Sequence, residues 1–132
     1  MTRTILPDTN IMSAILRGEA SASMHIAAEL AANTHVIIGA IVYYELRRGM
    51  MKRGWSSNVS YLDGMIARLD WADVTRNDAA EAARLWADTQ RAGKTIDDTD
   101  ILIAAQANTR RAVVVTRNVD HFKNTAKQLE TW

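Results

Sequence analysis

Apolar positions along this chain fall into two alternating spacings. Short runs rich in β-branched residues, Thr4 to Leu6, Val36 to Ile38 and Ala112 to Val115, predict buried strands, with a weaker one over Leu69 to Val74. Between them the pattern becomes helical. Ile26, Ala27, Leu30 and Ala31 form one stripe, and Val59, Leu62, Ile66 and Leu69 form a second. Ala79, Ala82, Ala83, Trp86 and Ala87 make a third, opened by the capping-type pair Asp78 and Glu81, and this assigns Trp86 to the core. From Ile101 to Ala107 the pattern is apolar nearly all round, as in a helix buried between a sheet and other helices.

Strands alternating with helices predict a three-layer α/β/α fold whose central, mainly parallel sheet has four to five strands. No repeat or low-complexity tract interrupts it, and the single proline and scattered glycines mark no boundary, so residues 1–132 read as one domain. In such sheets the active crevice lies beyond the carboxyl ends of the strands.

Composition narrows the function classes. With 132 residues, 48% of them hydrophobic and 23% charged, the chain is an ordinary globular domain with enough length for a core. No apolar run approaches the ~18 residues of a membrane span, and no secretory h-region opens the chain. It has no cysteine, hence no disulfide framework and no thiolate metal site. A cytoplasmic enzyme or binding module is the expectation. The net charge of +1 says little about partners, so the placement of charge matters more than its sum.

Three acids stand where they need a reason. Asp8, in "ILPDTNIM", follows the first strand directly; Glu45, in "IVYYELRRG", follows the second; Asp100, in "TIDDTDILIAA", opens the apolar helix and shares its face with Ile103, Ala104 and Ala107. Capping and helix-dipole effects account for single acids at such places, and Asp97 and Asp98 are assigned to that structural role. A buried, isolated carboxylate costs several kcal/mol or takes up a proton, and converging ones cost more unless a cation neutralises them. Oxygen donors without a histidine or cysteine cluster suit Mg²⁺ or Mn²⁺ rather than zinc.

Arg47, Arg48, Lys52 and Arg53 lie near Glu45, while Arg110, Arg111, Arg117, Lys123 and Lys127 lie around the last predicted strand. They form either a solvated face or a rim that holds a phosphate backbone. Trp55, beside Gly54 and Ser56, is the better tryptophan for stacking on an unpaired base. His25, His35 and His121 share no ligand spacing and read as structural or surface residues, with His121 alone near the proposed site.

"LPDTNIM", "YYEL", "DILIAA" and "VVVTRNVDHF" together resemble, in order, the motifs of PIN-domain ribonucleases, specifically the VapC-type toxins of bacterial toxin–antitoxin pairs. The resemblance implies a PIN-like fold and a Mg²⁺-dependent endoribonuclease, with Mn²⁺ as a substitute, leaving 5′-phosphate and 3′-hydroxyl ends. It implies that Asp8, Glu45 and Asp100 bind the metal, that Asn10 helps order the site, and that Thr116 begins the T-x-N/D motif. It further implies an RNA substrate (tRNA, rRNA or mRNA), a VapB-type antitoxin and a homodimer. The chain departs from the pattern at Asn118, where many members carry a fourth acid; Asp120, two residues on, lies too far along an extended segment to replace it directly unless the chain turns at Val119.

Two enzyme or signalling alternatives fit less well. An aspartyl phosphatase would use Asp8 as nucleophile but wants a second acid where Asn10 stands, and a receiver-like module wants an aspartate and a lysine where Val74-Thr75 and Thr116-Arg117 stand. A PIN-like protein that binds RNA without cutting it is the third alternative.

Overall fold

Every strand pairing in the sheet is parallel. The computed structural model describes residues 2–54 and 56–132, so Trp55 lies outside the described residues. The strands are β1 (Thr4–Pro7), β2 (His35–Gly39), β3 (Asp70–Ala72), β4 (Val113–Thr116) and β5 (Leu129–Thr131), in the order β3-β2-β1-β4-β5. The helices are α1 (Thr9–Leu16), α2 (Ala20–Ala31), α3 (Ala40–Lys52), α4 (Ser56–Ile66), α5 (Arg76–Arg91), α6 (Asp98–Thr109) and α7 (Val119–Phe122).

Strand alternation divides the core between the two faces of the sheet. Leu6 and the Val114 paired with it join the larger core, which includes Ile38, Val42, Leu46 and the α6 residues Ile101, Ile103, Ala104, Ala105 and Ala107. Their neighbours Ile5, Val36 and Val115 join Ile11 in a smaller core on the other face. As expected for a helix covered on all sides, Ile101 and the run from Ile103 to Asn108 are buried.

Gly39 and Gln106 set the position of α6. A Cβ at Gly39 would stand 2.5 Å from Gln106 Oε1, so only glycine lets the buried glutamine come this close. Gln106 Nε2 then donates to the carbonyls of Ala72 (3.1 Å) and Asp73 (3.3 Å), tying α6 to the end of β3.

The structure supplies the fifth of the four to five strands expected and corrects the sequence reading of α2 and α5. The fifth strand carries no period-two alternation in Leu129–Thr131 and exists through its pairing with Val114 to Thr116. Helix α2 forms, but Ala27, Leu30 and Ala31 of its apolar stripe are exposed, only Ala22 is buried, and of the stripe Ile26 alone packs against the smaller core. Helix α5 is rotated from the expected stripe: Asp78, Ala82, Leu85 and Thr89 face inward, and Trp86 is 49% exposed. Its start is also earlier, since the capping box runs from Thr75 to Asp78 rather than through Glu81. The buried bonds of Asp78 outweigh the alanine stripe in orienting the helix.

Candidate active site

The chain builds β1, β2 and β3 outward in one direction, then returns to lay β4 on the other side of β1. The carboxyl ends of β1 and β4 are therefore the switch point where an open parallel sheet leaves a crevice. Asp8 sits there. Its backbone N–H extends the β1–β4 pairing by donating to Val115 O at 2.9 Å, which brings it beside Thr116.

Asp8 caps α1, its Oδ1 accepting from the Ile11 N–H at 3.0 Å, and its Oδ2 accepts from Thr116 Oγ1 at 2.5 Å. Capping and site placement thus fall on one residue. Asp8 is 4% exposed. Burial pushes its carboxyl above the usual aspartate range, and the charge of Glu45 adds to that, against the pull of Thr116 and the α1 N–H groups. Thr116 holds a second bond, its Oγ1 accepting the Asn118 N–H at 2.8 Å, so the motif threonine links Asp8 to the turn after β4.

Glu45 comes from the second turn of α3, its Oε1 accepting from Thr9 Oγ1 at 2.6 Å and its Oε2 lying 3.6 Å from Arg48. Asp100 comes from the first turn of α6. Its carboxyl is raised first by burial and then by the charges of Glu45, Asp97 and Asp8, with His121 opposing them. Asp8, Glu45 and Asp100 line one cavity of about 180 Å³ together with Thr9, Asn10, Asp97 and His121. They face each other without touching: among the described residues, no three histidine, cysteine or acidic side chains converge closely enough to grip one ion. The donor chemistry nonetheless fits a hard divalent cation, with the carboxylates of Asp8, Glu45, Asp97 and Asp100 lining one cavity.

Two further residues join this site: Thr9, which the sequence did not single out, and His121, which it placed near the site but read as structural or surface. Thr9 holds Glu45, and its position beside Asp8 was the available clue. His121 Nδ1 lies 3.1 Å from Asp100 Oδ2. Its placement follows from α7: the chain turns helical at Val119, and a helical turn brings the third residue after Asn118, not the second, back to the same side. Asn118 does not line the cavity, and Asp120 is directed to solvent, bonded to Lys123 at 3.0 Å.

The basic residues divide. Arg110 is internal to the fold, bonded to Asp78; Arg117 pairs with Glu19 and Lys123 with Asp120. Arg47 bonds to Tyr43 and lies 3.8 Å from Asp63, while Arg48 lies 3.6 Å from Glu45. A larger neighbouring cavity of about 610 Å³ shares Thr9, Asn10 and Glu45 and carries Arg17 and Arg53 on its walls.

The PIN domain family model matches residues 5–128. The chain belongs to the PIN-domain family. This PIN domain is 32% identical over 117 residues to ribonuclease VapC19 of Mycobacterium tuberculosis, covering 89% of this chain and 90% of that protein. Among solved structures it matches VapBC2 from Rickettsia felis bound to a promoter DNA fragment, with a TM-score of 0.88, 29% identity and 98% of each chain covered. DNA-bound VapBC from Salmonella typhimurium gives a TM-score of 0.86 at 27% identity, covering 100% of this chain and 99% of that one.

Proposed function

We propose that this PIN domain is a metal-dependent endoribonuclease, the VapC-type toxin of a toxin–antitoxin pair. The observation that carries the reading is the shared cavity of Asp8, Glu45 and Asp100 at the switch point of the sheet. Its similarity to ribonuclease VapC19 over most of both chains supports the chemistry. Asp8, Glu45 and Asp100 would hold Mg²⁺, or Mn²⁺ in its place, which supplies an electrophile that acidifies water and neutralises charge on a phosphodiester. The chain's own part is positioning. Thr116 and the α1 N–H groups fix Asp8, Thr9 fixes Glu45, and Asn10 borders both the acid cavity and the larger one beside it. Hydrolysis by water leaves 5′-phosphate and 3′-hydroxyl ends, with no role for the RNA 2′-hydroxyl as nucleophile.

The aspartyl phosphatase alternative is disfavoured by Asn10. Such an enzyme wants a second acid two residues after Asp8 as proton donor and acceptor, and the Asn10 amide cannot act as a general acid or base. For the partner, we assign a VapB-type antitoxin, in keeping with the VapBC complexes among the structural matches. An apolar groove of about 460 Å³, between α1, α2 and α4 and lined by Met12, Ile15, Ile26 and Leu30, is the surface open to it. The toxin is assigned to the cytoplasm as a homodimer. No helix of the described residues is long and apolar enough to cross a membrane.

The test is cleavage of end-labelled tRNA, rRNA and mRNA with Mg²⁺ or Mn²⁺, and again in EDTA, with product ends identified by phosphatase and ligase sensitivity. Metal-dependent cutting to 5′-phosphate ends is the expected result. RNA binding without cutting under any divalent ion, or undiminished cutting in EDTA, overturns the reading.

A further inference from the structure

The acid cavity, at about 180 Å³, has room for an ion and phosphate oxygens but is smaller than the roughly 300–1,000 Å³ of sites that enclose an organic ligand. The cavity beside it, at about 610 Å³, falls within that range. It lies in the cleft between α1 and α3, and Thr9 and Glu45, bonded at 2.6 Å, form the boundary it shares with the acids. One turn further on, four residues along each helix, Ser13 and Gly49 line it. Glycine inside a helix is destabilising relative to alanine, and nothing local asks for one at this position. Gly49 has no positive φ, and a Cβ there would meet nothing within 4 Å. Its missing side chain leaves the space beside Glu45 open.

Leu16, Leu46 and Met50 give the cavity apolar walls, and Arg17, two turns past Thr9 and about 12 Å from it along α1, gives it a cationic one. Arg17 donates to Ser13 Oγ at 2.6 Å and stands 4.0 Å from Glu19. Both oxygens of Glu19 already accept from Arg117, so Arg17 holds only a loose share of that carboxylate and keeps charge for a phosphate. We propose that this cavity receives one unpaired base of the RNA, from a nucleotide adjoining the phosphate at the acids, with Arg17 on a flanking phosphate. This rests on the metal-nuclease reading above and adds to it what the site can accept. A base inside a duplex is stacked and paired, and only a nucleotide turned out of its strand can enter a cleft between two helices. Loops and single strands are therefore substrates, and continuous duplexes are not.

The probe is a stem–loop RNA carrying 2-aminopurine at its loop purines, bound in Mg²⁺ to the full-length Asp8→Asn protein so that it stays uncut. Its fluorescence should rise as a loop base leaves its stacked neighbours, and should not rise when the label sits in a continuous duplex. Gly49→Leu fills the cavity and, added to Asp8→Asn, should abolish the rise. Alone, Gly49→Leu should cut the stem–loop about tenfold or more slowly, the scale of one held base. It should melt no lower than wild type and keep the same upward shift with Mn²⁺. If it melts lower, Gly49→Met, with a flexible chain of like size, takes its place. Arg17→Ala should flatten the slope of log affinity against log salt by about one. If wild type cuts RNA but the labelled loop gives no rise and Gly49→Leu cuts at the wild-type rate, the nuclease reading stands and the cavity is not a base site. If the rise is seen and Gly49→Leu blocks it, yet no RNA is cut under any divalent ion, the base site stands and the nuclease reading falls. A rise that survives Gly49→Leu, or equal cutting of loop and continuous duplex, overturns the base site.

Discussion

Asp8 and Asp78 are both buried aspartates at the start of a helix, and the fold treats them in opposite ways. Asp78, fully buried, accepts from Arg110 through both oxygens (2.8 and 3.1 Å), from Thr109 Oγ1 at 2.5 Å and from the Thr75 N–H at 2.9 Å. Burial alone would raise its carboxyl, but these donors outweigh it and hold the group below the usual range. Asp8 has a hydroxyl and backbone N–H groups, and among the described residues no cationic side chain bonds to it. Its nearest charged neighbours in the cavity are more acids, and its carboxyl is raised. One aspartate is complete inside the protein. The other is left without a cationic hydrogen-bond partner, a stability cost of the kind that candidate functional sites carry.

The largest contrast should appear in activity. Asp8→Asn keeps an oxygen for the Ile11 N–H but loses the charge, so cleavage should drop about a thousandfold, the effect of several kcal/mol of lost transition-state stabilisation. Asp78→Ala, assayed well below its melting temperature, should cut RNA at close to the wild-type rate. Equal activity losses in the two variants, measured by initial rates on one substrate, would erase the distinction.

Stability should reverse the ranking. Asp78→Ala strips the capping box and leaves Arg110 without its carboxylate, so the denaturation midpoint should correspond to a loss of about 2–4 kcal/mol. Relief of repulsion should make metal-free Asp100→Asn melt roughly 3 °C higher than wild type. The same variant should show a smaller upward shift when Mn²⁺ is added. An unchanged melting temperature and an unchanged metal response would make Asp100 a helix-end residue and nothing more.

The smallest effect is in the pH dependence of the metal-free protein, and its sign differs between the two aspartates. With their carboxyls raised, Asp8 and Asp100 keep protons in the folded state that the unfolded chain has already released. The fold is therefore favoured below the ordinary aspartate pKa of about 4, and that advantage is lost as pH rises through the raised values. Asp78, lowered, stabilises the fold above the ordinary value, and its contribution disappears as pH falls through its depressed one. Melting curves from pH 7 downward should show the advantage of Asp8→Asn over wild type shrinking toward pH 4. The deficit of Asp78→Ala should persist to that point and close only below it. Parallel pH profiles for the two variants would contradict the opposite shifts.

The order and type of the elements were legible in the sequence because they depend on local periodicity. The runs at Ile5, Val36 and Val114 and the all-apolar stretch from Ile101 could satisfy only a buried parallel sheet and a covered helix. Asp8, Glu45 and Asp100 were likewise marked by position, each an acid just past a strand or at the entrance of an apolar helix. Other features depended on partners far along the chain. The rotation of α5 that exposes Trp86 follows from Asp78 meeting Arg110, 32 residues away, a bond that no stripe of alanines reveals. β5 exists because β4 offers it an edge, and of the α2 stripe only Ile26 finds the core while Ala27, Leu30 and Ala31 stay exposed. His121 joined the acids only because the backbone turns helical after Asn118, changing which residue of "NVDH" returns to the crevice. Periodicity and residue type act over a few positions and can be read from the chain; the burial of a charge is resolved only by the group it finally meets.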